Sequence, residues 1–358
     1  MKNILWKSTK NQYTVLGVSF GFLFPIFSTL VESWSKYGLI DFPSLVLTQT
    51  SNPLLWVINS APFFLGLFAR VAGSKQETAE IVNVKVQEIN NSLREENEAR
   101  KSMENKLKEM IAVYSEDLES AKLIQEFSLP ELPNIKECKF SFKYLPLNLV
   151  GGDLMSIVKL KEGGISILVG DVVGHGISAA LITSLVKVLS NKICRVYATN
   201  PREYLNHLNQ EVNKYLPQDY YLTAIYGYLN FIDNKATFNF SRGGHPYPFV
   251  YSSVKKETTI YEIPGTPIGL LENLSYSEQT INLDSGDRVY LITDGFIEIY
   301  NQSKKLLGVS GLSKIISEAN TKHLNLDESI DFIIKETKKY ADNIDATDDR
   351  LIFGMEIL

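Results

Sequence analysis

The chain is 358 residues long, enough for a core of about 200 residues with accessory segments attached. Hydrophobic residues make up 44% and charged residues 22%, ordinary globular usage that excludes a mainly disordered or many-pass membrane protein. The net charge of -5 carries no footprint for nucleic acid, and two cysteines, Cys138 and Cys194, are too few and too isolated for a disulfide framework or a cysteine zinc site.

Residues 13–31 carry no charge. As a helix rising about 1.5 Å per residue they span roughly 28 Å, close to the hydrocarbon core of a bilayer. Residues 53–69 form a second uncharged run, shorter and interrupted by Asn59 and Pro62, so a kink or tilt is expected there. Lys2, Lys7 and Lys10 precede the first run and Arg70, Lys75 and Lys85 follow the second, whereas the loop between them holds only Lys36 with Glu32 and Asp41. The positive-inside rule then predicts a two-helix membrane hairpin over residues 1–73, both ends cytoplasmic. Its outer loop, residues 32–52, is too short for a ligand-binding domain. A cleaved signal peptide is the competing reading for the first run, but residues 28–36 offer no small-residue cleavage site. The other competitor is a pair of helices buried in a soluble domain.

Residues 74–129 lack proline and are rich in charge. Val82, Val86, Ile89, Leu93, Met103, Leu107, Met110 and Tyr114 follow alternating steps of four and three, with Glu96 and Arg100 in the same seam. The step from Tyr114 to Leu118 breaks the rhythm as an inserted stutter does. The pattern predicts a long helical linker forming a weak parallel coiled coil, hence a homodimer. A single amphipathic helix lying on its own domain is the alternative.

After Pro130 and Pro133 the periodicity changes to short β-rich runs, which places a domain over residues 130–358. Strands are expected at 139–144, 154–160, 165–169, 221–231, 236–240, 248–252, 288–293 and 351–357. Helices are expected at 178–198, 201–216, 312–319 and 327–340. Asp233-Asn234 reads as a hairpin turn. Mixed helices and hairpin-paired strands mean an α+β layered fold. Acidic residues stand beside glycine at strand ends: Gly151-Gly152-Asp153, Gly170-Asp171 with Gly174-His175-Gly176, Thr293-Asp294-Gly295, and finally Asp348-Asp349. Each alone could be an ordinary turn. Two ionised carboxylates about 4 Å apart repel by some 4 kcal/mol at an effective dielectric of 20, so a converging set calls for cations. Hard oxygen ligands favour manganese or magnesium.

The order of these stretches resembles the PPM family of metal-dependent serine/threonine phosphatases, in the bacterial branch typified by the stage II sporulation protein E. The matching segments are Ile124-Gln125 to Pro133, Val150 to Asp153, Gly170 to Gly176 with Ala179-Ala180, Gly243-Gly244-His245-Pro246, Thr293 to Gly295, and Asp348-Asp349. The resemblance implies an αββα sandwich with two Mn or Mg ions at one edge. It implies that Asp171 bridges the ions, that the Val172 carbonyl helps hold one, that Asp294 and Asp348 complete the second site and Asp153 serves the first, and that Asp349 orients its neighbours. The nucleophile would be a water activated by the two metals. His175 is a candidate general acid by its chemistry alone: its flanking glycines suggest a tight turn, and the family assigns no such role at this position. His245 reads as a structural corner, and Cys138 and Cys194 as packing residues. The partner implied is a phosphorylated STAS-domain anti-anti-sigma factor. Two departures stand out. Ser156 occupies a position where the family usually has a second aspartate, and Leu351 follows Arg350 where threonine is common. Ser156 motivates a rival reading, a catalytically weak or inactive signalling and binding module on the same fold. A nuclease or phosphodiesterase would call for metal-binding histidines, and the chain has only four. The linker helix enters directly before the Asp153 segment, so it is expected to control the site by presenting or withdrawing a metal ligand.

Overall fold

A computed structural model describes residues 8–174, 176–217, 219–232, 235–342 and 346–358. The Asp233-Asn234 turn therefore lies outside the described residues, as do Lys2 and Lys7. The chain forms two units, one ending at Met110 and the other Ile111–Leu358.

In the first unit, α1 (Thr9–Tyr37) runs past the apolar stretch into the expected outer loop. That loop is itself helical, as α2 (Phe42–Ser51), where Asp41 and Ser44 form a reciprocal capping box. The second apolar run is not one helix. α3 (Pro53–Ile58) stops at Asn59, and α4 (Ala61–Phe127) starts again after Ser60. Pro62 falls in the first turn of α4, where its missing N–H costs nothing. α1 and the start of α4 touch through small residues. A Cβ on Gly17 would stand 2.5 Å from the Ala69 Cβ, and one on Gly66 only 2.4 Å from Val18 Cγ2. Such close backbone approach is the usual way apolar helices associate within lipid, where no hydrophobic force drives them together. By length and composition, α1 and the apolar start of the Pro53–Phe127 segment can cross a membrane. Along α4 the seam residues Val82, Ile89, Leu93, Met103 and Leu107 are exposed.

The second unit is a sandwich. Its strands are β1 (Cys138–Leu145), β2 (Asp153–Lys159), β3 (Ile165–Val172), β4 (Leu222–Ile232), β5 (Lys235–Gly243), β6 (Phe249–Ser252), β7 (Glu257–Ile260), β8 (Glu278–Leu283), β9 (Arg288–Ile292) and β10 (Arg350–Ile357). β7 and β8 were not expected from the sequence. They pair antiparallel into two five-stranded sheets, β1-β10-β9-β6-β7 and β2-β3-β4-β5-β8. Strand alternation builds the layers. In β3, Ile165, Ile167 and Val169 face Leu291, Phe353 and Met355 of the other sheet, while Leu168 and Val172 face outward. On that outer face lie α5 (Ile177–Tyr197) and α6 (Pro201–Tyr215), through Ala179, Val186, Leu205 and Leu208. The opposite face is covered by α7 (Gly308–Thr321) and α8 (Leu326–Tyr340), through Leu312, Ile316, Ile330 and Ile333. Each fully buried Leu, Ile or Phe contributes about 1.5–3 kcal/mol of apolar burial. α5 is also apolar enough to cross a membrane, but its apolar stripe is spent on the sheet. The αββα sandwich is the expected α+β fold.

Candidate active site

The carboxylates meet where one end of each sheet comes together. Asp153 opens β2 and lies directly across the ladder from Asp171, near the end of β3. Opposite residues of an antiparallel pair share a face, so both side chains point the same way. Asp294 begins a short 3-10 turn, Asp294–Phe296, directly after β9, and Asp348-Asp349 lead into β10, its neighbour in the other sheet. Thr293 joins the two sheets. Its hydroxyl donates to Asp153 Oδ2 at 3.0 Å and accepts the Leu351 N–H at 2.8 Å.

Asp153 is 3% exposed and its Oδ1 has no hydrogen-bond partner among the described residues. Burial first, then the charge of Asp171, hold its carboxyl well above the usual range, and the Thr293 bond opposes them. Burial pushes Asp171 up to about 8, reinforced by Asp294, Asp348 and Asp349. Asp294 is raised to about 6 by burial, by Asp348 and by Glu298. These are the shifts of like charges gathered in a desolvated pocket. Asp348 Oδ1 accepts the Asp349 N–H at 2.8 Å. Asp349 is buried, and its two oxygens accept the N–H groups of Leu147 and Gly152, each at 2.7 Å. Gly152 has no room for a side chain: a Cβ there would stand 2.7 Å from the Val172 carbonyl oxygen and 3.1 Å from Asp171 Oδ1. The Val172 carbonyl thus borders the same cleft.

Among the described residues, no three Asp, Glu, His or Cys side chains stand close enough to form a closed set of metal ligands. The carboxylates are a repelling cluster in this conformation. The residues nonetheless fit Mn or Mg: the donors are hard oxygens, one buried carboxylate oxygen lacks a partner among the described residues, and the clustered charge needs neutralising. His175 lies outside the described residues.

Ser156 is not part of the cluster. The β2–β3 ladder runs without a bulge from Asp153↔Asp171 to Lys159↔Ile165, so position 156 faces the side opposite Asp153, toward α5. A carboxylate there would point away from Asp171. His245 is a buried corner. Its Nδ1 meets Thr223 Oγ1 at 3.0 Å, and burial together with Arg242 lowers it to about 3, so the ring is neutral. Cys138 lies in the core and burial pushes its thiol up to about 12. Cys194 packs beside Tyr226 and Ser166.

Three contributors went unnoticed in the sequence. Thr293 and Gln125, whose amide pairs with the Gly151 backbone, lie within the segments that carry the family resemblance, but no local pattern marks their roles. Glu298 lies four residues after Asp294, whose carbonyl accepts its N–H at 2.8 Å, and that spacing was the available signal.

Comparison with known proteins agrees with this architecture. The family described as stage II sporulation protein E (SpoIIE) matches residues 161–357. The chain is 30% identical over 176 residues to the phosphoserine phosphatase RsbU of Bacillus subtilis, covering 49% of this chain and 50% of that one. Against the phosphoserine phosphatase RsbP of the same organism identity is 27% over 187 residues, or 51% and 45%. The chain thus spans about half the length of the curated relatives it matches. Among solved structures, the SiaA-PP2C domain of Pseudomonas aeruginosa superposes with a TM-score of 0.59 at 20% identity, covering 69% of this chain and 97% of that one, and so shares the fold. With sandwich, strand-end carboxylates and a match over more than half its length, the chain belongs to the SpoIIE family, a bacterial branch of the PPM fold.

Proposed function

We propose that this protein is a membrane-tethered protein serine/threonine phosphatase, dependent on two Mn or Mg ions, that removes phosphate from a phosphoserine or phosphothreonine of a partner protein. The observation that carries this reading is the buried carboxylate cluster: Asp153, with an oxygen unpartnered among the described residues, beside Asp171 and joined by Asp294, Asp348 and Asp349. An uncompensated cluster of this kind is costly in a binding module and useful in a metal hydrolase. Asp153, Asp171, Asp294, Asp348 and the Val172 carbonyl would hold the ions, and Asp349 would fix the loop beside them. When bound, such ions neutralise phosphoryl oxygens and acidify water near neutral pH. The protein's own part is to gather the carboxylates and hold them in place through Thr293, Asp349 and the Gly152 backbone.

The likeness to RsbU and RsbP supports a phosphoserine substrate, and a STAS-domain anti-anti-sigma factor is the partner we put first. The two apolar helical segments support a hairpin anchor in the cytoplasmic membrane, with the catalytic domain in the cytoplasm. The exposed seam of α4 supports homodimerisation through a coiled coil.

The test is phosphate release by the full chain in lipid nanodiscs, from an aryl phosphate and from a phosphorylated STAS protein, titrated with Mn. Turnover that needs Mn and disappears in Asp171→Asn and Asp294→Asn establishes the enzyme. A folded protein with no turnover at any Mn concentration leaves the non-catalytic signalling module standing. Ser156 lies on the face of β2 opposite Asp153, which supports the catalytic reading over that rival.

A further inference from the structure

Gln125 is the only buried residue of α4 beyond Met110 among the described residues, and it is polar. Its neighbours Leu123, Ile124 and Phe127 are exposed. A helix that buries one side chain would ordinarily bury an apolar one, so the amide calls for a specific partner. That partner is the backbone of Gly151. Gln125 Nε2 donates to the Gly151 carbonyl at 2.7 Å, and the Gly151 N–H donates to Gln125 Oε1 at 3.1 Å. The Tyr144 hydroxyl adds a contact to Oε1 at 3.4 Å. The helix end is held nearby, where Lys187 Nζ of α5 donates to the Ser128 carbonyl and hydroxyl, both at 2.9 Å.

On its other side Gly151 is closed by Asp349, whose carboxylate stands 2.2 Å from where a Cβ would be. Asp349 also takes the next N–H, that of Gly152, and the Gly152 carbonyl accepts from Val172 N at 3.2 Å and Thr183 Oγ1 at 3.1 Å. Asp153 is the following residue. The two peptides before this carboxylate are therefore gripped from both sides, and one grip belongs to the linker helix.

We propose that Gln125 is a positioning residue for the carboxylate cluster: its amide fixes the Gly151 peptide, and through it the direction in which Asp153 meets Asp171. The inference rests on the metal-site reading above for its consequence, but not for its geometry. Groups one step removed from metal ligands commonly change metal affinity by about 10- to 100-fold.

The experiment compares the full chain in nanodiscs with Gln125→Met, which keeps length and volume but has no amide, and with Ile124→Gln, an exposed neighbour, as control. Hydrogen exchange is followed by mass spectrometry without metal, and Mn binding by loss of the free-ion electron paramagnetic resonance signal. In Gln125→Met, exchange across residues 147–153 should quicken by about tenfold or more while β3 and α5 peptides stay unchanged, and half-saturating Mn should rise about tenfold. The control should match wild type in both. Unchanged exchange at 147–153 overturns the proposal, as does a uniform acceleration across the sandwich, which would make Gln125 a stability element only. Faster local exchange with unchanged Mn affinity also overturns it. A wild-type chain that binds no Mn refutes the metal reading instead, and the exchange comparison still judges the Gln125 grip.

Discussion

Replacing Thr293 by valine keeps its shape and removes only the hydroxyl that ties the two sheets together. The Leu351 N–H, paired at 2.8 Å in the native chain, is left buried without an acceptor, which costs about 1–3 kcal/mol. The bond to Asp153 Oδ2 is lost as well; burial and neighbouring charges favour the protonated form of Asp153 without metal, so the neutral-bond value of about 1 kcal/mol applies. The sum is about 2–4 kcal/mol, and for a unit of this size each kcal/mol moves the melting point by roughly 2–4 °C. Thr293→Val should therefore melt about 5–15 °C below wild type without metal. Thr293→Ser keeps the hydroxyl and loses one buried methyl, worth about 1 kcal/mol or a few degrees. Since the Thr293 bond lowers the Asp153 pKa, its loss also makes the proton harder to displace, so half-saturating Mn should rise in the valine variant and not in the serine one. Thermal unfolding followed by circular dichroism, with and without Mn, checks both points. A serine variant less stable than the valine variant would show that the methyl's packing, not the hydroxyl, holds this junction, and would refute the reasoning.

Without metal at neutral pH the fold must protonate Asp171, because burial and its neighbours disfavour the charge; Asp171→Asn removes that cost, so the metal-free variant should melt a few degrees above wild type, while the order reverses at saturating Mn because only wild type gains binding energy; a variant no more stable without metal contradicts the electrostatic account. Asp171 at about 8 and Asp294 at about 6 both sit above the ordinary aspartate value of 3.8, so their stability contribution is full below about pH 4 and is lost as pH rises through 6 and then 8. The same protons compete with metal, so half-saturating Mn should fall by up to about tenfold per pH unit between pH 6 and 8, and a flat profile by calorimetry would rule this out. Gly151→Ala places a methyl 2.2 Å from Asp349 Oδ2, so the loop must move; Mn affinity and turnover should drop together, with circular dichroism unchanged.

The layers of the catalytic unit were legible because alternation is a local property. Ile165, Ile167 and Val169 announce one face of a strand without help from any distant residue. The carboxylates were legible for a similar reason, since each stands beside glycine at the end of a β-run. β7 and β8 were not, because Glu257–Ile260 and Glu278–Leu283 are short, partly polar, and become strands by pairing with β6 and β5. The interruption of the second apolar run was visible in Asn59 and Pro62, but its form was not: Pro62 opens α4 instead of kinking it. What no local pattern could carry is the set of contacts around the carboxylates. Thr293 reaches Asp153 across 140 residues and Asp349 reaches Gly152 across 197.

Ser156 shows how a departure from a family pattern changes meaning once register is known. In the sequence it stands three residues after Asp153 and looks like a lost metal ligand. In an unbulged strand three residues is an odd step, and odd steps exchange faces. Position 156 therefore belongs to the α5 side, with Leu154. The same parity argument places Asp153 with Met155 and Ile157 on the face that looks toward the other sheet, which is why Thr293 of that sheet can reach it. Whether the cluster binds metal thus turns on how the loops before β2 and β10 are held, and those loops are fastened by Gln125, Asp349 and Thr293. Mutating Ser156 to aspartate should leave Mn affinity where it is.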